Sequence, residues 1–74
     1  GPHRLCVEAE EAGTDMRVRG TLSDYYDSDA NPLFEIEIDG RRVLVPAVEE
    51  FIARIDFGNR TMHLVLPEGL LGLE

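Results

Sequence analysis

The sequence contains no lysine, a single cysteine and no long apolar run. Its seven basic residues are all arginines and face 15 acidic residues, so the formal net charge of the 74-residue chain is -8. Non-specific nucleic-acid binders and polybasic membrane anchors gain affinity from clustered basic side chains, so both classes are excluded. A basic protein partner is compatible with this charge.

The cysteine count and the lack of a membrane-spanning segment exclude two further classes. Cys6 alone cannot form an internal disulfide, which excludes a disulfide-stabilised secreted domain. No apolar segment approaches the ~20 residues of a spanning helix, and no secretory signal is visible. We therefore expect a monomeric domain in the reducing cytoplasm, with no membrane partner.

The length allows one small domain. Gly1 and Pro2 are typical of the remnant of a cleaved expression tag. We accordingly expect residues 1–2 to be a tag remnant and residues 3–74 to form one domain from the C-terminal part of a longer two-domain protein.

Short apolar segments separated by turn-forming residues predict an all-β fold. Strands are expected at residues 5–8, 16–26 and 61–66, with polar loops at residues 10–15 and 27–32. Gly20 lies inside the second of these strands and predicts a bend or a bulge there. The pattern as a whole points to a small sheet or barrel.

Residues 34–45 predict a β-hairpin in full detail. Asp39 and Gly40 favour the positive φ angles of a two-residue type I′ turn, which fixes the strand register. That register places Glu37 opposite Arg42, where an ion pair is expected to contribute ~0.2–1 kcal/mol. It assigns one face to the core, consisting of Phe34, Ile36, Val43 and Val45.

Residues 46–56 allow two interpretations. Apolar residues recur at helical spacing after Pro46, which is typical of a helix start. Alternatively, residues 47–50 form one helical turn and residues 51–56 form a strand. Periodicity alone leaves both alternatives open.

Five short motifs of the sequence are "GTLSD" (20–24), "DAN" (29–31), "VP" (45–46), "ID" (55–56) and "PEGLL" (67–71). In this order they resemble the C-terminal PRC-barrel domain of the RimM family of bacterial ribosome maturation factors. The resemblance covers residues 17–74, although Asp29 stands where the family usually has glycine. It implies a small PRC-type β-barrel of about six short strands with one short helical turn, so that a strand follows residues 47–50.

The function implied by this resemblance is indirect. Such proteins act in small-subunit assembly and rRNA processing, so we expect a non-catalytic protein-binding domain without a cofactor. The implied partner is a basic ribosomal protein of the small-subunit head, together with the small ribosomal subunit, and no strong RNA binding is expected of this domain. The alternative is a PRC-barrel module of a membrane-associated complex, similar to the photosynthetic reaction-centre subunit.

Neither a metal site nor a catalytic site is expected. His3, Cys6 and His63 are fewer than the four ligands of structural zinc. The acidic residues at 24, 27 and 29 lack the glycine and the closing glutamate of a calcium loop. Nothing in the sequence supplies a base or an orienting group for a Cys6 nucleophile, so a small buried thiol is expected. A small hydrolase is therefore disfavoured.

The best candidates for function are aromatic and acidic residues that fit a protein interface. Adjacent strand residues point to opposite faces, so one of Tyr25 and Tyr26 is expected in the core and the other on the surface. Phe57 is interpreted either as a buried plug or as an anchor for a partner. The candidate partner-binding residues are Tyr25, Tyr26, Asp27, Asp29, Asn31 and Phe57.

The apolar tail is expected to remain ordered by docking. Leu70 is predicted to cap the core of the barrel, whereas Leu71 and Leu73 have two alternatives, capping the same core or docking on the rest of the protein.

Overall fold

The computed structural model describes residues 4–27, 29 and 31–71. Six strands form one sheet in this part of the chain, and a short 3-10 turn (η1, Glu49–Phe51) precedes the fifth strand. The all-β prediction is confirmed. The strands are β1 (Cys6–Glu11), β2 (Arg17–Tyr26), β3 (Leu33–Ile38), β4 (Arg41–Pro46), β5 (Ile52–Asp56) and β6 (Thr61–Leu66).

The sheet has the order β4-β3-β2-β1-β6-β5. Four of its ladders are antiparallel, and β1 with β6 forms the parallel one, from Cys6 opposite Thr61 to Glu11 opposite Leu66. Two backbone hydrogen bonds extend this parallel ladder beyond its ends, at 2.8 Å from Cys6 N to Arg60 O and at 2.7 Å from Ala12 N to Leu66 O. The first strand therefore lies in the middle of the sheet.

The predicted hairpin of β3 and β4 is confirmed in its register. Asp39 and Gly40 have φ angles of 51° and 79°, as a type I′ turn requires. The predicted ion pair between Glu37 and Arg42 is replaced by one with a different glutamate. Arg42 Nε lies 3.8 Å from Glu35 Oε2, diagonally across the ladder, although Glu37 is directly opposite Arg42.

Two predictions about β1 and β2 need correction. β1 extends to Glu11, so Glu10 and Glu11 belong to a strand, because the parallel ladder with β6 continues along them. The irregularity in β2 lies at Ser23, between Leu22 and Asp24, and not at Gly20. Gly20 instead permits a close approach of β3.

The contact at Gly20 shows why a side chain does not fit there. A Cβ atom at this position would lie 2.8 Å from Cγ1 of Ile38 and 3.0 Å from Cγ2 of Ile36, and would collide with the backbone oxygen of Glu37. Glycine is thus required by packing between strands.

Residues 47–56 form one turn followed by a strand, as the family resemblance implied, and the continuous helix is wrong. The turn begins two residues later than expected, at Glu49, and Phe51 N donates a 3.0 Å hydrogen bond to Val48 O. The 3-10 turn is the one helical element among the described residues, and no helix there is long and apolar enough to cross a membrane.

The core lies on one face of the curved sheet. Leu71 is fully buried and Leu70 half-buried against this core, which confirms the capping expected of Leu70; Leu73 lies outside the described residues. Cys6 is only half-buried, so the prediction of a buried thiol was wrong. Adjacent strand residues point to opposite faces, and Val7 occupies the core face next to Cys6. The fully buried apolar residues are Val7, Ala9, Ile36, Ile38, Val45, Met62, Leu64, Leu66 and Leu71.

The topology defines two ends of the sheet. The tyrosine end carries the connection between β2 and β3 (residues 27–32) and the turn between β5 and β6 (residues 57–60). The hairpin end carries residues 12–16, the turn at residues 39–40 and the segment 67–71.

Candidate protein-binding surface at the tyrosine end

Both candidate tyrosines are exposed because β2 continues beyond its neighbour β1. The ladder with β1 ends at Thr21, so the last residues of β2 pair only with β3. Tyr25 is 48% exposed and Tyr26 42% exposed, which shows that the prediction of one core tyrosine was wrong. They do point to opposite faces, Tyr25 opposite Phe34 and Tyr26 opposite Leu33.

Tyr25 is held against the sheet by an aromatic contact. Its ring centroid lies 5.8 Å from that of Phe34, with the two rings tilted by 47°. This is within the range of favourable aromatic pairs. The backbone N–H of Tyr25 also donates a 2.8 Å hydrogen bond to Asp24 Oδ1. The ring is therefore positioned, while half of its surface is open to a partner.

Tyr26 is positioned by a carboxylate on the neighbouring strand. Its hydroxyl donates a 2.6 Å hydrogen bond to Glu35 Oε1, and the hydroxyl of Ser23 donates a 3.1 Å bond to Glu35 Oε2. Arg42 adds a weak ion pair to the same Oε2. Ser23 reaches Glu35 because it is the extra residue of the bulge in β2.

The hydrogen bond between Tyr26 and Glu35 shifts both pKa values. Donation from Tyr26 lowers the pKa of Glu35 below its ordinary 4.5, assisted by Ser23 and Arg42 and opposed by burial. The same bond raises the pKa of Tyr26 above 10.0, assisted by burial and by the negative charges of Glu35 and Asp24. At neutral pH the carboxylate is ionised and the phenol is protonated, so the bond is intact.

An acidic connection follows the two tyrosines. Asp27, Asp29 and Asn31 are exposed, as the predicted loop requires, and Asp24 adds a further exposed carboxylate on β2. Among the described residues, no group of three His, Cys, Asp or Glu side chains is arranged to hold a metal ion. This surface offers a partner aromatic rings bordered by negative charge.

Phe57 occupies a separate turn at the same end of the sheet. Its side chain is 81% exposed, which excludes the buried plug. The turn is fixed by Asp56, whose carboxylate accepts hydrogen bonds from Asn59 Nδ2 at 2.8 Å and from Asn59 N at 3.1 Å. The side-chain bond is the main reason that the pKa of Asp56 lies below its ordinary 3.8.

Two residues of this surface were missed by sequence reasoning. Glu35 was assigned no role by the sequence, yet it is 9% exposed and receives the bonds described above. Leu44 lies opposite Glu35 on the outer face and is 52% exposed. For Leu44 the sequence did contain a signal, because the predicted hairpin register places this leucine on the outward face.

The remaining metal candidates are separated. His63 Nε2 lies 3.1 Å from Glu10 Oε1 on the neighbouring strand β1, and Cys6 is half-buried at the other end of that strand. His3 lies outside the described residues.

Comparisons with known proteins identify the family. The sequence matches the profile of the RimM PRC barrel domain over residues 10–70. Ribosome maturation factor RimM of Christiangramia forsetii is 44% identical over 54 residues, covering 73% of this chain and 31% of the relative. That of Bacteroides fragilis is 44% identical over 55 residues, covering 74% and 31%. That of Chlorobium phaeobacteroides is 42% identical over 48 residues, covering 65% and 28%.

The chain spans about a third of the length of these curated relatives. No solved structure gave a significant match. The sequence allowed a PRC barrel of the RimM family or one of a membrane-associated complex. The matched profile is that of the RimM family. The profile match, the relatives and the six-stranded sheet together show that this chain belongs to the RimM PRC barrel domain family.

Proposed function

We propose that this chain is a non-catalytic protein-binding domain in ribosome maturation, and that it binds a basic ribosomal protein of the small-subunit head. The support for a ribosomal role is the name that the relatives share, ribosome maturation factor RimM. Because the chain corresponds to a third of those proteins, the proposal concerns the contribution of this domain to small-subunit assembly.

The observation that carries the proposal is the pair of exposed but positioned tyrosines beside an acidic connection. Tyr25 is packed on Phe34, and the hydroxyl of Tyr26 is bonded to Glu35. A ring that is already held in place loses little conformational entropy on binding, and tyrosine is enriched among residues that dominate binding energy.

The net charge supports a basic protein rather than RNA as the direct partner. A chain of charge -8 repels phosphates and attracts a cationic surface. Such complementarity acts mainly on the association rate and on discrimination between partners, so the interaction is expected to weaken as salt is added.

The proposed contact surface comprises the candidate residues at the tyrosine end together with one exposed apolar residue beside Glu35. Its members are Tyr25, Tyr26, Asp27, Asp29, Asn31, Phe57 and Leu44.

Calorimetric titration against a panel of basic small-subunit proteins tests the partner. We expect one head protein to bind with an affinity that falls as salt is raised. If no panel member binds at low salt, the proposal is refuted for this domain.

The contact surface is tested by two double variants. Tyr25→Ala with Tyr26→Ala removes both rings, and we expect at least a tenfold loss of affinity, which is the loss of a typical interface anchor. Asp27→Asn with Asp29→Asn is expected to slow association. The charge-matched control is Asp15→Asn with Asp39→Asn at the hairpin end, where binding should be unchanged. If the tyrosine variant binds like the unmodified protein, the proposed surface is wrong.

A further inference from the structure

Glu11 places a carboxylate on the inward face of β1. In this strand Val7 and Ala9 point into the core, and Glu11 follows them with only 3% of its surface exposed. Its backbone is satisfied: its N–H donates to Met16 O at 3.1 Å, and its C=O accepts from Thr14 N at 3.2 Å and from Thr14 Oγ1 at 3.1 Å. The Thr14 hydroxyl is thus committed to the backbone oxygen.

The carboxylate itself is incompletely paired. Glu11 Oε2 is buried and has no hydrogen-bond partner among the described residues. Burial of a charged oxygen without a partner costs several kcal/mol in general, and proteins usually offset this by a hydrogen bond or an opposite charge. A buried oxygen of this kind is a candidate ligand-binding group.

Glu11 lines a shallow groove at the hairpin end of the sheet. The other lining residues are Thr14, Met16, Glu68 and Gly69. Two of the five lining residues are acidic and none is basic, so the groove is negatively charged and suited to bind a cation. Met16 supplies an apolar side chain that is suited to cover the aliphatic part of a bound side chain.

We propose that this groove binds the guanidinium group of an arginine side chain presented by a partner protein. A guanidinium is planar, always charged and less strongly hydrated than an ammonium group, and it donates hydrogen bonds in several directions. It can therefore serve Glu11 and Glu68 together. Rotation about the last torsion of the glutamate, which has a broad energy minimum, exchanges the two equivalent carboxylate oxygens, so either oxygen can face the groove.

This site is independent of the proposed function. The groove lies at the hairpin end, whereas Tyr25, Tyr26 and Phe57 lie at the tyrosine end. A test with a small arginine derivative does not involve any ribosomal protein, so one proposal can fail while the other stands.

The experiment is an NMR titration of the chain with N-acetyl-arginine amide at low salt. A side chain of this size is expected to bind with a Kd of about 1 mM. Saturable shifts are expected at the amides of Thr14, Met16 and Gly69 and at the Glu11 carboxyl. The neutral isostere N-acetyl-citrulline amide should cause no saturable shift. Equal binding of the two ligands, or no saturable binding of the arginine derivative, would overturn the proposal.

Variants locate the effect at the groove. Glu11→Gln keeps the shape but removes the charge, and we expect at least a tenfold weaker binding with the folded amide spectrum retained. Glu68→Gln, on the exposed wall, should weaken binding several-fold and serves if Glu11→Gln does not fold. Glu8→Gln is the control, since this glutamate of the same strand is paired with Arg19 at 3.0 Å on the outer face. Unchanged binding in both groove variants would refute the site.

Discussion

Tyr26 on β2 and Glu35 on β3 are joined by a 2.6 Å hydrogen bond from the phenol to the carboxylate. The bond lowers the pKa of Glu35 and raises that of Tyr26. Stabilisation from Glu35 is therefore present above its ordinary pKa of 4.5 and is lost as the pH falls through its lowered value. Stabilisation from Tyr26 is present below 10.0 and is lost as the pH rises through its raised value.

Replacing Tyr26 by phenylalanine should raise the pKa of Glu35. The variant removes the largest cause of the lowered value and leaves burial to act in the opposite direction. A pH titration of the Glu35 carboxyl carbon by NMR measures the change. Tyr25→Phe is the control and should leave that titration unaltered, because Tyr25 packs on Phe34 instead. An unaltered Glu35 titration in Tyr26→Phe would contradict the assigned bond.

Replacing Gly20 by alanine should destabilise the fold. The new Cβ would meet Ile38 Cγ1 at 2.8 Å and the Glu37 backbone, and such overpacking costs ~1–3 kcal/mol. Urea unfolding measures the loss. The matched control is Gly58→Ala, where the nearest atom is Asp56 Oδ1 at 3.4 Å, an ordinary contact, and the change should stay within ~1 kcal/mol. Equal effects of the two substitutions would refute the role of Gly20 in strand packing.

Truncation of Leu71 should cost far more than truncation of Leu44. Leu71 is 3% exposed and belongs to the core, so Leu71→Ala is expected to lose ~2–5 kcal/mol of the free energy of unfolding. Leu44→Ala makes the same chemical change at a side chain that is 52% exposed, where ~0.5 kcal/mol is expected. Thermal unfolding of both variants gives the comparison. Similar stability of the two would show that the tail does not cap the core.

Removal of the Asn59 side chain should raise the pKa of Asp56 and loosen the turn that carries Phe57. The bond from Asn59 Nδ2 is the largest cause of the lowered pKa, whereas the charge of Arg54 is the smallest. We therefore expect a larger rise in Asn59→Ala than in Arg54→Ala, measured by NMR titration of the Asp56 carboxyl. Relaxation of the Phe57 amide should report greater motion in the first variant. The reverse order of the two rises would contradict the assignment.

The parts of the fold that depend on local sequence were predictable. Asp39 and Gly40 specify a turn, and the alternation on either side allows only one register that buries a complete apolar face. The strand Thr61–Leu66 was predicted as a short apolar segment bounded by turn-forming residues. In both cases the information lies within a few residues.

The parts that depend on distant pairing were not predictable from local patterns. Glu10 and Glu11 belong to a strand because β6 pairs with them, although the two strands are far apart in the sequence. The exposure of both tyrosines follows from the length of β2 relative to β1. Glu35 has the same local pattern as Glu37, and its surroundings are set by the bulge at Ser23 and by Tyr26 on the neighbouring strand.

The parallel ladder between β1 and β6 has a consequence for the order in which the domain assembles. Strands β1 to β4 are connected as successive antiparallel neighbours, and β5 with β6 forms a second local hairpin. Among the strand ladders of the described residues, the β1–β6 ladder alone joins the two units, and its closure spans most of the chain. Non-local closure is entropically costly and slow. We therefore expect the emerging chain to hold a four-stranded meander whose edge along β1 stays unpaired until β6 has left the ribosome.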